Sequence, residues 1–408
     1  MHPLPTVKLG TDFGVVNCPS CGNEVGTERV VPSNKNTRGR CLQCKEWFLI
    51  ELPIVIKKLV YLDQSLLSDL WRTATGPDQG QIEQRILRKL QQSKDRQKVF
   101  LVVSDIHSPE TAAFPREYAD QRDGLWDFQN KLADGHIAGN WCDVFIAQQR
   151  RALAMPGAPE FFPSADIGLD DPHRWQIGVK IMLTNTWRGR LHRALPPSPD
   201  INDRFHKILT RQIEGLGPNS NMHGAIDHIR RLWRQDIEGG IASVRKWSEL
   251  LRSEDLIQAI ASSNPPELLH IPDSPFKGIV RQVVNGMDEK ASLEAWLRQL
   301  ETGTVCAAQR LRVALEAELL WSGVQGNRMT SKKKFSENYG ASRQNDADHV
   351  AAFLPYVDVL TTDKDMHNLC GRKIIKEELD KFPCLLVSGK NYPKFENWLD
   401  NLLSDGRA

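Results

Sequence analysis

The chain has no apolar run long enough to cross a bilayer. Its longest, from Phe48 to Val60, is interrupted by Glu51 and Pro53 and runs into Lys57 and Lys58, well short of the roughly 20 apolar residues that a spanning helix needs. The opening Met1-His2-Pro3-Leu4 has no basic segment leading into an apolar stretch, as an export signal would. Both absences lead to the expectation of a cytoplasmic protein with no membrane partner. Charge of one sign is lacking too: 53 basic against 51 acidic residues leave a formal net charge of +2. That excludes a surface built as a polycation to coat nucleic acid, so any such binding must come from local patches or from a metal site that offsets phosphate charge. Internal repeats and low-complexity tracts are absent. Glycine (28) and proline (23) are modest in 408 residues, and 40% hydrophobic with 25% charged residues describes two or three folded domains rather than a disordered chain.

What the chain does have begins with eight cysteines. In a reducing compartment these are metal ligands or buried thiols, not a disulfide framework. Four of them form two knuckles, Cys18-Pro-Ser-Cys21 and Cys41-Leu-Gln-Cys44, separated by nineteen residues, 22–40. Each knuckle offers two thiolates from one tight turn, and together they complete the tetrahedral four-sulfur set of a structural zinc ion. Gly22 follows the first knuckle, as its turn favours. Such a closed site leaves no position open for chemistry. Nearby, Arg38, Arg40, Lys45 and the pair Trp47-Phe48 are open to two readings: a nucleic-acid contact, or a solvated face over the ribbon's own small core. Cys142, Cys306, Cys370 and Cys384 are isolated and read as ordinary buried thiols.

Beyond the knuckles the pattern changes. Residues 51–62 read as a strand leaving the ribbon and a second strand entering the next domain. Ile82, Ile86, Leu87 and Leu90 recur at helical spacing, and Lys98 to Val103 is a short buried strand. A strand, a helix and a strand make a βαβ unit with a parallel sheet. From about 115 to 335 the pattern is mostly helical, with Leu311, Leu315 and Leu319 four apart and a helix around Ile241 to Leu251. Alternation of strand and helix then returns, with a helix starting near Asp348, strands at Val357 to Thr361 and Cys384 to Ser388, and a last helix from Lys394 to Leu403. The expected organisation is a zinc ribbon in 1–55, an α/β core from 56–115 and 336–408, and a helical insertion in 116–335.

Three windows place acids beside strand ends. Asp63 closes the run Val60-Tyr61-Leu62-Asp63. Glu110 follows the strand through Ser108, a good helix cap, and Pro109, a good first helical residue. Asp346 and Asp348 precede the run Pro355-Tyr356-Val357-Asp358-Val359-Leu360-Thr361-Thr362-Asp363. In a parallel sheet the strand C-termini and following helix N-termini share one edge, where sites form. Carboxylates gathered there repel one another unless a hard cation neutralises them, and Mg²⁺ or Mn²⁺ held so activates water for phosphodiester hydrolysis.

These windows resemble the PIN-domain family of nucleases. Asp63 is similar to its first acid in a Leu-Asp-x-Ser pattern, Glu110 to its second, Asp348 or Asp346 to its third, and Asp363 to its fourth. The resemblance implies a parallel-sheet core with catalytic carboxylates Asp63, Glu110, Asp348 and Asp363, Asp346 joining them as a metal ligand, and a Mg²⁺ or Mn²⁺ cofactor. It also implies a nucleic-acid substrate, RNA ahead of DNA, and by analogy a toxin or phage-defence setting with a regulatory protein partner. The match covers 59–72, 98–114 and 344–366, and the long helical stretch departs from a minimal PIN domain.

Two other readings compete. Ser104-Asp105-Ile106-His107 resembles the opening Asp-x-His block of calcineurin-like metallophosphoesterases, in which Asp105 and His107 would be ligands. The further blocks are missing: there is no Gly-Asp dipeptide, and Gly139-Asn140 is followed by Trp141. Alternatively the ribbon is the working part, a non-catalytic nucleic-acid-binding module on a PIN-like scaffold. Basic clusters at Arg150-Arg151, Arg188/Arg190/Arg193, Arg230-Arg231/Arg234 and Lys332-Lys333-Lys334, with Trp187 and Trp233 beside two of them, are candidates for a groove or for solvated helix faces.

Overall fold

The computed structural model describes residues 4–8, 15–26, 31–32, 36–51, 55–76, 81–104, 107, 119–139, 141–155, 159–169, 172–173, 215–216, 221–252, 306–325, 341–389 and 391–404. Six short strands build the N-terminal part. Strands β2 (Val15–Asn17) and β3 (Glu24–Gly26) form an antiparallel pair around the first knuckle. The strands β1 (Thr6–Lys8), β4 (Val31–Pro32), β5 (Asn36–Arg40) and β6 (Trp47–Glu51) form a second sheet in the order β1-β6-β5-β4, with the second knuckle between β5 and β6. Val16, Val25, Phe48, Ile50 and Val55 pack with Cys18 and Cys41 into a separate small core. Gly39 lies opposite Phe48 in the register, and a Cβ there would meet the Phe48 ring at 2.8 Å. The ring therefore fits against the strand only because that position has no side chain.

The larger part is a mixed α/β unit on a five-stranded, all-parallel sheet. Its strands are β7 (Lys58–Tyr61), β8 (Val99–Ser104), β9 (Ile137–Ala138), β10 (Val359–Thr361) and β11 (Leu385–Val387), in the order β11-β10-β7-β8-β9. The two ends of the chain thus share one sheet: Val60 pairs with Val359, and Val60 with Leu101 on the other side. Alternation along the strands feeds two cores. Val60, Leu101, Val103, Val359 and Val387 face helices α1 (Gln64–Thr75), α2 (Gln81–Asp95) and α10 (Tyr392–Ser404). Leu59, Tyr61, Phe100, Val102 and Leu360 face the other side, with α4 (Trp141–Ala154), α5 (Met222–Arg252), α6 (Ala307–Gln325) and α7 (Ala341–Phe353). Helices α3 (Ala119–Leu132), α8 (Lys364–Cys370) and α9 (Lys373–Leu379) complete the described α-helices. Burial on both faces is why β8 reads as an unbroken apolar run, VFLVVS, every residue buried.

Three features differ from the expected organisation. The edge strand β9 lies at 137–138, inside the span expected as helical insertion, so the sheet extends past residue 115. Helix α6 is buried nearly all round and packs in the same core as Tyr61 and Phe353, so this helix is a layer of the α/β unit. Helix α7 begins at Ala341, which puts Asp346 and Asp348 in its middle and not at its start. Asp and Asn are common cap residues, but buried Ala347, Val350, Ala351 and Phe353 and the Arg343–Asp346 pair three residues apart hold this segment helical throughout.

Between sheet and α7 sits a buried aromatic group. Tyr61 stacks on Phe353 with centroids 4.5 Å apart, and the His107 and His349 rings meet edge-on at 5.4 Å. Burial lowers the pKa of both imidazoles, His349 to about 3. Both are therefore neutral in the folded protein where an exposed histidine is charged. Unfolded imidazoles take up protons as the pH falls through about 6.5, and folded ones do not, so each histidine subtracts stability below that pH. The His349→Leu variant should lose less stability than wild type between pH 7 and pH 5, the difference approaching about 1.4 kcal/mol per pH unit. Urea titrations at several pH values measure it, and parallel slopes would remove His349 from this role.

Candidate functional site

The two knuckles are built alike. In the first, Gly22 N donates to Cys18 O (2.8 Å) and Cys18 N to Asn23 O (2.8 Å); in the second, Lys45 N donates to Cys41 O and Cys41 N to Glu46 O, both at 3.0 Å. Each turn closes with a left-handed residue, Gly22 at φ 73° and Lys45 at φ 64°. The result brings all four Sγ atoms within 4.8 Å of one another, with Cys18–Cys44 and Cys21–Cys41 each 3.6 Å apart. A tetrahedron with Zn–S bonds of about 2.3 Å has edges of about 3.8 Å, so the cluster has the size of a zinc site. The Asn23 backbone amide and its side-chain amide, 3.1 Å from the sulfur, pull the Cys21 thiol down to about 6. Cys44 moves the other way: although the Glu46 amide lowers it, burial and the neighbouring sulfurs push it up to about 12. The four sulfurs are spaced so that they could hold one metal ion, and zinc is the ion whose ligand preference they match.

The second candidate lies where the parallel sheet changes direction. Strand β7 continues to β8 and β9 on one side, and the later strands β10 and β11 add on the other. The crevice outside the C-termini of β7 and β10 is therefore a topological switch point, the usual ligand position in such sheets. Asp63 and Asp363 occupy it in matching ways. Each lies two residues past its strand and caps the helix that follows: Asp63 accepts from Leu66 N at 3.2 Å, Asp363 from Met366 N at 2.6 Å. Thr361 ties the two segments together, its Oγ1 donating to Asp63 Oδ1 (2.9 Å) and accepting from Asp63 N (2.7 Å).

The charges around these acids differ. Asp63 is only 7% exposed, burial raises its pKa, and among the described residues it has no ion pair. Asp363 and Asp346 share Arg343, whose Nη1 lies 2.7 Å from Asp363 Oδ2 and 3.8 Å from Asp346 Oδ2, while Nη2 pairs with Asp365. Asp348 faces elsewhere, since two residues along a helix is about 200° of rotation. It pairs with the buried Arg312 at 2.6 Å, and Arg312 also reaches Glu316 at 3.0 Å. Burial, partly offset by Arg312, raises Asp348 to about 6. Glu110 and Asp105 lie outside the described residues. Among the described residues, the four cysteines are the one group of three or more His, Cys, Asp or Glu whose ligand atoms all lie within 4.8 Å. The acids of the switch point are thus neighbours by topology without being drawn to that spacing.

Other residues singled out in the sequence find simpler places. His107 is fully buried: Ser104 N donates to Nδ1 at 3.4 Å, and Nε2 lies 3.3 Å from the Tyr61 hydroxyl. Trp233 is core, edge-on to Trp141, with its Nε1 donating to Glu316 at 2.8 Å. Arg151 donates to the Phe161 carbonyl and pairs with Asp166, and Arg234 pairs with Glu238 one turn on. The basic residues 188–193 and 332–334, and Trp187, are outside the described residues. Cys306 and Cys370 are buried as expected, but Cys142 is exposed, because α4 spends its inner face on Trp141, Val144 and Phe145. Sequence reading missed Thr361 and Arg343. A threonine two residues before Asp363 in Thr-Thr-Asp, and an arginine three residues before Asp346, were the available signals.

Comparison of the chain with protein-family models, curated proteins and solved structures found no match.

Asp63 and Asp348 should respond oppositely to loss of charge. Without divalent ions, Asp63→Asn keeps a good helix cap and removes a buried charge lacking a cationic partner, so the melting temperature at pH 7.5 should rise by a few degrees. Asp348→Asn leaves the buried Arg312 with Glu316 as its one remaining carboxylate among the described residues, beside the Gln344 amide oxygen, and should cost about 1–3 kcal/mol, less than for a fully buried pair because Asp348 is partly exposed. Thermal melts of both variants check this; a destabilised Asp63→Asn would mean that its carboxylate already has a counter-charge.

Proposed function

We propose that this protein is a zinc-containing, Mg²⁺- or Mn²⁺-dependent nuclease of PIN-like type, with RNA its preferred substrate class. The observation that carries the reading is Asp63, a buried carboxylate without an ion pair among the described residues, beside Asp363 at the switch point of a parallel sheet. A buried charge of this kind is costly unless something neutralises it. Hard carboxylate oxygens suit a hard divalent cation, and Asp63, Asp363 and Asp346, with Glu110, are the residues that would hold it. Asp346 takes the third place ahead of Asp348 because it shares Arg343 with Asp363 at the sheet edge, whereas Asp348 turns away toward Arg312. When bound, the ion supplies a water of lowered pKa and charge stabilisation for phosphodiester hydrolysis. The chain's own contributions are positional. The Thr361 hydroxyl orients the Asp63 carboxylate, the first turns of α1 and α8 fix both aspartates through backbone N–H groups, and Arg343 holds the Asp363 and Asp346 carboxylates beside one another. The preference for RNA follows from the family resemblance of the acidic windows.

Weighing against the phosphoesterase alternative is His107, whose ring nitrogens face Ser104 N and the Tyr61 hydroxyl inside the core.

Labelled RNA and DNA oligonucleotides incubated with Mg²⁺, Mn²⁺ or EDTA test the proposal. Cleavage should require the divalent ion and fall by about 10²- to 10⁴-fold in Asp63→Asn and in Asp363→Asn, equivalent to about 3–5 kcal/mol of transition-state stabilisation. His107→Ala should lower stability more than it lowers the rate per folded molecule. An active Asp63→Asn enzyme, or no cleavage of any substrate with either metal, would overturn the assignment.

A further inference from the structure

The pair Trp47-Phe48 is divided by the ribbon: Phe48 is fully buried in the small core, whereas Trp47 is 48% exposed. Alternation sets the rest of the face. On β6, Phe48 and Ile50 point inward while Trp47 and Glu51 point out; on β5, Gly39 is buried while Arg38 and Arg40 are exposed. The register then composes the outer surface. Arg40 pairs with Trp47, Arg38 with Leu49 and Leu49 with Thr6, and Lys8 flanks Glu51. The Arg40 guanidinium lies over the Trp47 ring at 5.6 Å and is tied down by Nε donating to the Lys45 carbonyl at 3.2 Å. In the second knuckle, Leu42 is 60% exposed. An indole that could have been core is instead held open beside cations, at the edge of the four-cysteine cluster.

From this face we infer that the outer surface of β5 and β6 docks single-stranded nucleic acid, a base stacking on Trp47 and backbone phosphates meeting Arg38, Arg40 and Lys45. The occupant is chosen by charge and by ring chemistry. The exposed cations Lys8, Arg38, Arg40 and Lys45 outnumber Glu46 and Glu51 around the ring, which suits a polyanion. A flat aromatic side chain can stack on any unpaired base, whereas the bases of a duplex already stack on each other. A second copy of this chain would bring the same cations against themselves. The inference stands on a different element from the nuclease carboxylates and does not depend on their activity.

The test uses the full-length, zinc-loaded chain in an Asp63→Asn background, with fluorescein-labelled U12, dT12 and a 12-base-pair duplex, without Mg²⁺ or Mn²⁺. Anisotropy at 50 and 200 mM NaCl should show both single strands binding more tightly than the duplex. Trp47→Ala should weaken single-strand binding by about 5- to 100-fold, the range for loss of one stacked base, and Trp47→Phe should recover most of it. Arg38→Gln with Arg40→Gln should flatten the salt dependence by about 1.4 in log–log slope, as expected for two lost phosphate contacts. Zinc content per chain, unchanged in each variant, separates these effects from a collapsed ribbon, and the Trp47→Phe arm does so if Trp47→Ala fails to fold. Unchanged binding in Trp47→Ala and Trp47→Phe with a normal salt slope in the arginine variant would overturn the inference, as would preference for the duplex, or sedimentation showing that Trp47→Ala dissociates a dimer and leaves nucleic-acid binding intact. Trp47-dependent binding in a protein that cleaves nothing would overturn the nuclease reading and leave this one in place.

Discussion

Parallel pairing of β7 with β10 is the constraint on which the rest of the molecule depends. It joins residues about 300 positions apart, and the sequence secures the join at both ends. At the start of the pair, Asp358 accepts from Leu59 N at 2.9 Å and from Lys58 Nζ at 2.7 Å. At the far end Thr361 holds Asp63. Without this pairing the early strands would expose one edge of β7, and the late strands would have no sheet to extend. The candidate crevice would lose one wall. Cores on both faces also follow from it, because Val60 and Val359 point one way, and Tyr61 and Leu360 the other.

The same junction explains how acids are held at the sheet edge, Asp63 buried and Asp363 partly exposed. A carboxylate beside a strand end finds the N–H groups of the next helix, and Asp63 and Asp363 both use them. Those hydrogen bonds orient the oxygens without removing the cost of desolvation. For Asp363 and Asp346 the offset comes from Arg343; for Asp348 it comes from Arg312, on the opposite side of α7. Helix α7 therefore carries two electrostatic functions back to back, one toward the sheet edge and one toward α6.

Much of this was readable in the residues. Cysteine spacing alone located the thiol cluster, because two tight turns with fixed hydrogen bonding leave the sulfurs little freedom. Strands β7, β8 and β10 were visible as apolar runs, and Asp63 and Asp363 as the acids following them. The failures have physical causes. Strand β9 is two residues long and carries no periodicity to detect. The start of α7 was misplaced because the local preference of Asn345, Asp346 and Asp348 for caps was overridden by tertiary burial of the alanines and Val350 between and after them. Which of Asp346 and Asp348 faces the sheet edge depends on the rotation of that helix, and the contacts that distinguish them, Arg343 with Asp363 and Arg312 with Asp348, join residues 20 and 36 positions apart, beyond what local spacing shows.

The place of β7 has a further consequence for how the chain must be made. It is the central strand, yet one of its neighbours is synthesised about 300 residues after it, roughly 15–60 s later at ordinary ribosomal rates. Through that interval Leu59, Val60 and Tyr61 have a partner in β8 on one side only. An apolar strand with an open edge invites pairing with other chains. The growing polypeptide thus carries an open apolar strand edge for most of its synthesis, and the segment that closes it is the three-residue strand Val359–Thr361.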